Sequence, residues 1–187
     1  MHFMPVGYIC QGACENLAVE RKILIRQMHV GDWEPVRSIY LEGLATGDAT
    51  FETEPLSWKT WDEGHLSVSR LVAVSATNGI VLGWAALSRV SSRAVYSGVA
   101  EVSVYVAASS RNRGIGQNLL EQLVVQSEQN GIWTLQASIF PANKASLTMH
   151  KNCGFREVGI RERIGRMSGI WRDTVLLERR SVLVGSD

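Results

Sequence analysis

Two glycines and two arginines between residues 111 and 116 have the types and spacing to bind an anion. The segment reads Arg111-Asn112-Arg113-Gly114-Ile115-Gly116 and lies between a strand pattern and a helix pattern. The first N–H groups of a helix lack intrahelical partners and carry partial positive charge, so anions bind there. Glycines let a phosphate approach the backbone, and arginines add charge. The segment predicts a phosphate-binding turn, with a tight turn without ligand as the alternative.

A second group of polar residues lies in a predicted helix that begins at Asn143 and ends near Gly154. Asn143, Ser146 and His150 stand at positions i, i+3 and i+7, on one face of that helix. Asn143 and His150 are about 10 Å apart along the axis, so they can contact successive parts of an extended ligand but not one atom. Helix capping explains Asn143 and Gly154 equally well, and a packed or surface histidine is the alternative for His150.

The glycine pattern excludes two other phosphate-binding motifs. A P-loop needs Gly-Lys-Ser/Thr, but Gln117 follows Gly116. A dinucleotide fingerprint needs a third glycine or an alanine where Leu119 stands. The pattern that remains, Arg-x-x-Gly-x-Gly, resembles the acyl-coenzyme A signature of the GNAT superfamily of N-acetyltransferases. Further segments resemble its phosphinothricin acetyltransferase group: Glu101-Val102-Ser103-Val104-Tyr105-Val106, Thr53-Glu54-Pro55, His150 where many GNAT chains have tyrosine, Gly154-Phe155 and Trp171-Arg172-Asp173.

The resemblance, which covers about residues 23–179, implies that acetyl-CoA is the co-substrate and that no metal ion takes part. The pyrophosphate of acetyl-CoA is expected on the turn. The pantetheine arm is expected beside the preceding strand and along the second helix. The residues implied in this binding are Arg111, Arg113, Gly114, Ile115, Gly116 and Gln117 for the pyrophosphate, the backbone of Val104 and Val106 for the pantetheine, and Asn143 and Ser146 on the helix.

Glu101 and His150 are the candidate catalytic residues. A free amine attacks a thioester only when unprotonated, yet amino groups titrate at about 8 or above, so a base must take the proton. Glu101 is expected to take it directly or through a water, and the backbone N–H of Val104 to polarise the thioester carbonyl. His150 is expected to protonate the leaving thiolate or to hydrogen-bond the substrate. The alternative for Glu101 is a strand carboxylate that faces solvent or pairs with an arginine.

The acceptor is expected to be a small acidic amino acid or analogue, of the phosphinothricin or methionine sulfoximine/sulfone type. Arg89, Arg93 and Tyr96 precede the Glu101 strand, and guanidinium groups suit carboxylates and phosphinates because they offer paired donors. The resembling group has Arg-x-Arg-Pro-Ala-Tyr here, whereas this chain has Ser91 at the first arginine and Ala94 at the proline. The alternative for the arginines is solvated surface charge.

Phe51 and Glu54 are expected to form the acceptor-side wall, with core packing and a solvated turn as their alternatives. Two other functions stay open on the sequence. One is acetylation of a protein N-terminus or another small amine, and the other is a non-catalytic acyl-CoA sensor.

The elements that position these residues alternate along the chain, which predicts one α/β domain with a GNAT-like mixed, mainly antiparallel central sheet flanked by helices. Strands are predicted at 23–28, 71–74, 80–87, 100–106, 134–140, 156–163 and 174–179. Helices are predicted from 31 or 32 to 45, and at 57–69, 115–130 and 143–154. A turn region is predicted at 165–171.

The domain is predicted to span residues 23–180, preceded by an N-terminal extension (1–22) that need not be ordered and followed by a C-terminal tail (181–187). The net charge of +1 is too small for a general attraction to nucleic acid or membrane. No apolar run approaches the roughly 20 residues of a membrane span. Three cysteines without a secretory signal pattern predict a cytoplasmic setting. The resemblance further implies a homodimer.

Overall fold

The computed structural model describes residues 23–186 of the chain, which form a seven-stranded sheet and four α-helices. The strands are β1 (Ile23–Gln27), β2 (Leu71–Ser75), β3 (Val81–Arg89), β4 (Val99–Val106), β5 (Thr134–Ile139), β6 (Arg156–Met167) and β7 (Ile170–Arg180). The helices are α1 (Trp33–Leu44), α2 (Trp58–Gly64), α3 (Ile115–Gln129) and α4 (Lys144–Asn152). Neighbouring strands follow the order β1-β2-β3-β4-β5-β7-β6, and within residues 23–186 the β4/β5 pair is the parallel one. The predicted fold class is confirmed.

Apolar residues cover both faces of the sheet because successive strand residues point to opposite sides. On one face, Ala85 and Leu87 of β3 pack in the same cluster as Leu119 and Leu123 of α3. On the other face, Trp84 of β3 packs with residues of α1 and α2. Full burial of each large apolar side chain is worth about 1.5–3 kcal/mol, so these two layers fix α3 and the α1–α2 pair against opposite sides of β3 and β4.

Helix α2 begins as predicted but ends earlier. The Ser57 hydroxyl accepts a hydrogen bond from the Thr60 N–H at 3.1 Å, which confirms the predicted N-cap. The prediction that this helix continues to residue 69 is wrong, because His65 takes an extended conformation (φ −112°, ψ 149°) after Gly64. The Arg70 guanidinium donates to the carbonyl of His65 at 2.9 Å, which holds this extended segment in place.

The predicted turn region at 165–171 contains the observed turn but is too wide, because β6 and β7 form a hairpin whose turn lies at Ser168 and Gly169. Both turn residues have left-handed φ values, 48° and 82°. The pairing of β6 with β7 jumps from Arg161/Thr174 to Gly165/Arg172, so residues 162–164 form a bulge. The polar residues and glycines at 165–171 have the composition of a loop. Pairing between β6 and β7 nevertheless places most of these residues in strands.

The predicted extension at residues 1–22 lies outside the described residues. The C-terminal tail packs on the domain: the Ser181 N–H donates to the Trp133 carbonyl at 2.8 Å, and Arg180 Nη1 donates to the Val184 carbonyl at 2.7 Å. None of the helices among residues 23–186 combines the length and apolar character that a membrane span requires.

Candidate active site

Strands β4 and β5 run side by side over three residue pairs and then separate. The last pair joins Glu101 to Gln136. Within residues 23–186, residues 102–106 pair with β3 alone, so the side of β4 that faces β5 has no strand partner there. A cavity of about 910 Å³ opens in this gap, between the two strands and the starts of α3 and α4.

The backbone of β4 points into this gap at every second residue. The Ala107 N–H donates to the Leu82 carbonyl at 2.9 Å. Every second residue of β4, counted back from Ala107, therefore forms its backbone hydrogen bonds with β3. The intervening residues, among them Val104 and Val106, therefore turn their N–H and C=O groups toward the gap. The Val106 carbonyl accepts a 3.3 Å hydrogen bond from Arg111 Nε. This orientation is the one that backbone contacts with a pantetheine arm require, and those contacts stay a prediction.

The predicted phosphate-binding turn forms the start of α3. Gly114 is the N-cap in a left-handed conformation (φ 76°, ψ 0°), which a residue with a Cβ adopts only with strain. The Asn118 N–H donates to the Gly114 carbonyl at 3.0 Å, so the N–H groups of residues 115–117 precede the first intrahelical bond. A Cβ on Gly116 would lie 2.8 Å from Met149 Sδ, so glycine lets α3 approach α4 closely.

Most of the residues predicted from the sequence line one cavity. These are Phe51, Glu101, Val104, Val106, Arg111, Gly114, Ile115, Gly116, Gln117, Asn143, Ser146 and His150. Five predicted residues lie outside its walls, namely Glu54, Arg89, Arg93, Tyr96 and Arg113. Arg93 instead lies over the ring of the exposed Tyr96, at 5.6 Å from its centre. The roles of all these residues stay predictions.

Glu101 lies where β4 and β5 separate. It is half-buried, with Ser88 opposite on β3 and Gln136 opposite on β5. Its side chain shares the face of β4 that carries Ser103 and Tyr105, because strand side chains alternate. Within residues 23–186 its carboxylate forms no hydrogen bond or ion pair. The carboxylate is therefore available to a group in the cavity, as a general base must be.

His150 is 4% exposed and lies in the last turn of α4. Its Nδ1 lies 2.9 Å from the Ser146 carbonyl, which can only accept, so Nδ1 carries the proton. Nε2 is then a bare acceptor in the neutral ring, and it is buried without a hydrogen-bond partner among residues 23–186. Burial lowers the pKa of His150, while the Ser146 carbonyl opposes that shift. The neutral ring can accept a proton or a hydrogen bond at Nε2 but has no proton there to donate.

Asn143 caps α4 and also joins it to another part of the cavity wall. Its Oδ1 accepts from the Ser146 N–H at 3.1 Å, so the capping interpretation is confirmed. Its Nδ2 donates to the Asp48 carbonyl at 3.3 Å. Asn143 therefore connects the start of α4 with the segment that contains Asp48.

Three further residues of the cavity wall were not predicted individually. Tyr105 is largely buried, which raises the pKa of its hydroxyl, and this hydroxyl lies 3.5 Å from the Ala49 carbonyl. The Phe140 ring meets the Phe51 ring edge to face at 4.8 Å. Thr174 is buried and its Oγ1 has no hydrogen-bond partner within residues 23–186. In the sequence these three appear as ordinary strand or strand-end residues, so no local signal marks them.

Residues 23–186 contain no group of three or more His, Cys, Asp or Glu side chains that could hold a metal ion. Cys153 is a free thiol whose pKa is raised to about 11 by burial, so at neutral pH it is a protonated, weak nucleophile.

Comparison with known proteins identifies the class to which this fold and cavity belong. The family described as acetyltransferase (GNAT) domain matches residues 59–176, so the chain belongs to the GNAT acetyltransferases. The phosphinothricin N-acetyltransferase of Alcaligenes faecalis is 31% identical over 160 residues, which cover 83% of this chain and 81% of that protein. The L-methionine sulfoximine/L-methionine sulfone acetyltransferase of Pseudomonas aeruginosa is 27% identical over 158 residues, or 82% and 92% of the two chains.

A solved structure gives the same result. The GNAT superfamily phosphinothricin acetyltransferase of Sinorhizobium meliloti, in complex with acetyl-CoA, superposes with a TM-score of 0.78 at 27% identity. The match covers 88% of this chain and 91% of that chain. The predicted family, enzyme class and co-substrate are therefore confirmed: this is an acetyl-CoA-dependent N-acetyltransferase similar to phosphinothricin acetyltransferases.

Proposed function

We propose that this enzyme acetylates the amino group of a small acidic amino acid or analogue, of the phosphinothricin or methionine sulfoximine/sulfone type, in the cytoplasm. One observation carries the proposal: a single cavity joins the N-terminal turn of α3, the unpaired side of β4 and the Glu101 carboxylate. The relatives named for phosphinothricin and methionine sulfoximine support the acceptor class.

The donor side of the cavity has the groups that acetyl-CoA needs. A pyrophosphate on residues 115–117 meets helix N–H groups, and two cations, Arg111 and Lys144, line the same cavity. From that turn, residues 102–106 extend for roughly 13 Å toward Glu101, at about 3.3 Å per residue. An extended pantetheine arm along this edge brings the thioester to the point where β4 and β5 separate.

The proposed reaction is a direct transfer. Glu101 accepts a proton from the substrate ammonium, directly or through a water, and the freed nitrogen attacks the thioester carbon. The N–H of Val104 points into the gap and is placed to stabilise the oxyanion that forms. The carbon–sulfur bond then breaks and the acetyl group stays on nitrogen. The second proton that the nitrogen loses on becoming an amide passes to the leaving sulfur, which gives the free thiol. His150 Nε2 accepts a hydrogen bond from a donor of either substrate.

We propose that the acidic group of the acceptor binds to Arg93 and Tyr96. Arg89 and Glu54 are also proposed to take part in acceptor binding. Arg93 and Tyr96 lie in the connection between β3 and β4, which leads directly into the strand of Glu101. Both are exposed and lie outside the cavity walls of the single chain. A planar guanidinium stacked on an aromatic ring presents its paired donors outward, as recognition of a carboxylate or phosphinate requires.

We further propose a homodimer built on the β6–β7 hairpin. β6 is an edge strand, and the hairpin exposes a group of large apolar side chains: Val158, Ile160, Ile164, Ile170 and Trp171. Exposed large apolar side chains on an edge strand and its hairpin are typical of an interface. Sedimentation should show a dimer that Ile160→Lys dissociates. Leu24→Lys, at an exposed position on the opposite edge strand β1, should leave the dimer intact.

A panel of amino acids, peptides and simple amines, assayed by thiol release from acetyl-CoA, tests the reaction. We expect turnover selective for acidic amino acids and their phosphinate and sulfoximine analogues. Glu101→Gln should lower kcat by about 10²- to 10⁴-fold, as loss of a general base does. Glu63→Gln, an exposed carboxylate on α2, is the control and should change nothing. Turnover on peptides alone, acetyl-CoA binding without turnover, or full activity of Glu101→Gln would each contradict the proposal.

A further inference from the structure

Arg172 of β7 contacts several residues at the acceptor end of the cavity. Its Nη2 lies 2.6 Å from Asp48 Oδ1, in an ion pair whose arginine side chain is 26% exposed. Its Nη1 lies 3.4 Å from the Gly47 carbonyl. The guanidinium carbon stands 4.3 Å from the centre of the Phe140 ring. A strand arginine is ordinarily a solvated charge, whereas this one is held by an ion pair and a ring together.

The partners of Arg172 belong to the wall of the cavity. Asp48 and Phe51 are in a segment, residues 46–51, that has no helix or strand of its own and contributes much of this wall. Its position therefore depends on side-chain contacts from other elements. Asn143 holds the Asp48 carbonyl from α4. Arg172 holds the Asp48 carboxylate from β7 and also packs on Phe140, against which the Phe51 ring rests.

We propose that Arg172 is a positioning residue that fixes residues 46–51 against the end of β5 and thereby shapes the acceptor site. Arg172 does not line the cavity, so it acts through Asp48 and Phe140 and does not touch the acceptor. The inference rests on the proposed function, because it assigns this end of the cavity to the acceptor. A planar guanidinium pairs with a carboxylate and stacks on a ring at the same time, which the compact ammonium of lysine does less well.

Steady-state kinetics with phosphinothricin and with acetyl-CoA separate this role from a general structural one. Arg172→Met should raise the KM for phosphinothricin about tenfold or more and change the KM for acetyl-CoA by less than about twofold. Arg172→Lys should restore part of the loss. Arg166→Met is the matched control, because Arg166 also lies over a ring, that of Trp171, and its Nε donates to the Gly169 carbonyl at 3.0 Å, and neither partner lines the cavity.

A double-mutant cycle tests the route through Asp48. Asp48→Asn keeps the size of the side chain and removes its charge, and it serves as the second variant if Arg172→Met does not fold. The KM of the double variant for phosphinothricin should be no higher than that of the poorer single variant, because each substitution removes the same Arg172–Asp48 interaction. An unchanged KM for phosphinothricin in Arg172→Met, equal rises in both KM values, or fully additive effects would overturn the proposal.

Hydrogen exchange distinguishes failure of this inference from failure of the proposed function. In the free protein, amides of residues 46–51 should exchange faster in Arg172→Met than in the wild type, and Arg166→Met should match the wild type. If the wild type acetylates nothing in the panel, the proposed function is lost while faster exchange still supports positioning by Arg172. Unchanged exchange overturns the positioning role even in an active enzyme.

Discussion

Replacement of Gly165 with alanine tests whether the Phe51 ring forms part of the acceptor site. Gly165 follows the β6 bulge and pairs with Arg172 across the hairpin. A Cβ at this position would lie 2.6 Å from Phe51 Cε1 and 2.7 Å from Cζ. Carbon atoms in contact are separated by about 3.5–4.0 Å, so the ring must move by roughly 1 Å.

The free energy of this displacement sets the expected effect on catalysis. Phe140 meets the Phe51 ring at 4.8 Å, while Phe51 itself is 37% exposed and lines the cavity. The ring therefore moves toward the space assigned to the acceptor. Crowding of this kind costs about 1–2 kcal/mol, which corresponds to a loss of about 5- to 30-fold in kcat/KM for phosphinothricin. The KM for acetyl-CoA should stay within about twofold, because the displaced ring forms no part of the α3 turn.

Gly159 supplies a matched control on the same strand. A Cβ there would meet no atom within 4 Å, so Gly159→Ala should leave the thiol-release kinetics unchanged. Combining Gly165→Ala with Phe51→Leu should give the activity of Phe51→Leu alone, because the shorter side chain removes the overlap. Wild-type kcat/KM in Gly165→Ala, or an equal loss in Gly159→Ala, would refute the reasoning.

Three further substitutions test separate features. His150→Gln should make the free energy of unfolding less dependent on pH. Burial holds the pKa of His150 below its unfolded value of about 6.5, so the stabilising contribution of the neutral ring is complete above that pH and is lost as the pH drops below it. Urea unfolding at about pH 7.5 and about pH 5.5 measures the difference. Thr174→Val removes a buried hydroxyl without a partner in the described part of the chain, so the free energy of unfolding in urea should rise by about 1 kcal/mol. Gly114→Ala, at φ 76°, should cost about 1–2 kcal/mol in thermal unfolding, and Gly114→Asn less, because asparagine tolerates this conformation.

The opposite results are equally specific. If acidification destabilises His150→Gln as much as the wild type, the pH dependence belongs to His65 instead. Burial lowers the pKa of His65 as well. A less stable Thr174→Val protein would mean that the hydroxyl has a partner in solution. Equal stability of Gly114→Ala and the wild type would contradict the left-handed conformation at the start of α3.

The turn at the start of α3 was predictable because its signals are local. Gly114 and Gly116 stand between a segment whose apolar residues repeat every two positions, as in a strand, and one in which they repeat about every 3.6 positions, as in a helix. Both patterns can be read within about ten residues of the turn. Glu101 was placed for the same reason, since its position on a strand follows from alternation. The separation of β4 from β5 beyond Glu101 was not predicted, because no residue pattern in either strand encodes it.

The acceptor end was less predictable because its contacts join distant parts of the sequence. Asp48 and Arg172 are 124 residues apart in the chain, and no local pattern indicates that they meet. The bulge at 162–164 depends in part on the Asp173 carboxylate, which accepts from the Arg163 N–H at 2.7 Å. The residues that follow, interpreted alone, gave a turn region at 165–171 that is wider than the observed turn. Side chains whose role depends on packing across the sheet therefore require the folded structure.

In the proposed binding mode, the edge of β4 beyond Glu101 recognises its ligand through groups that side-chain substitutions do not remove. The donors and acceptors that residues 102–106 leave toward the gap belong to the main chain, and every amino acid except proline supplies both. Side chains along this edge can therefore change during evolution without loss of the groups that bind.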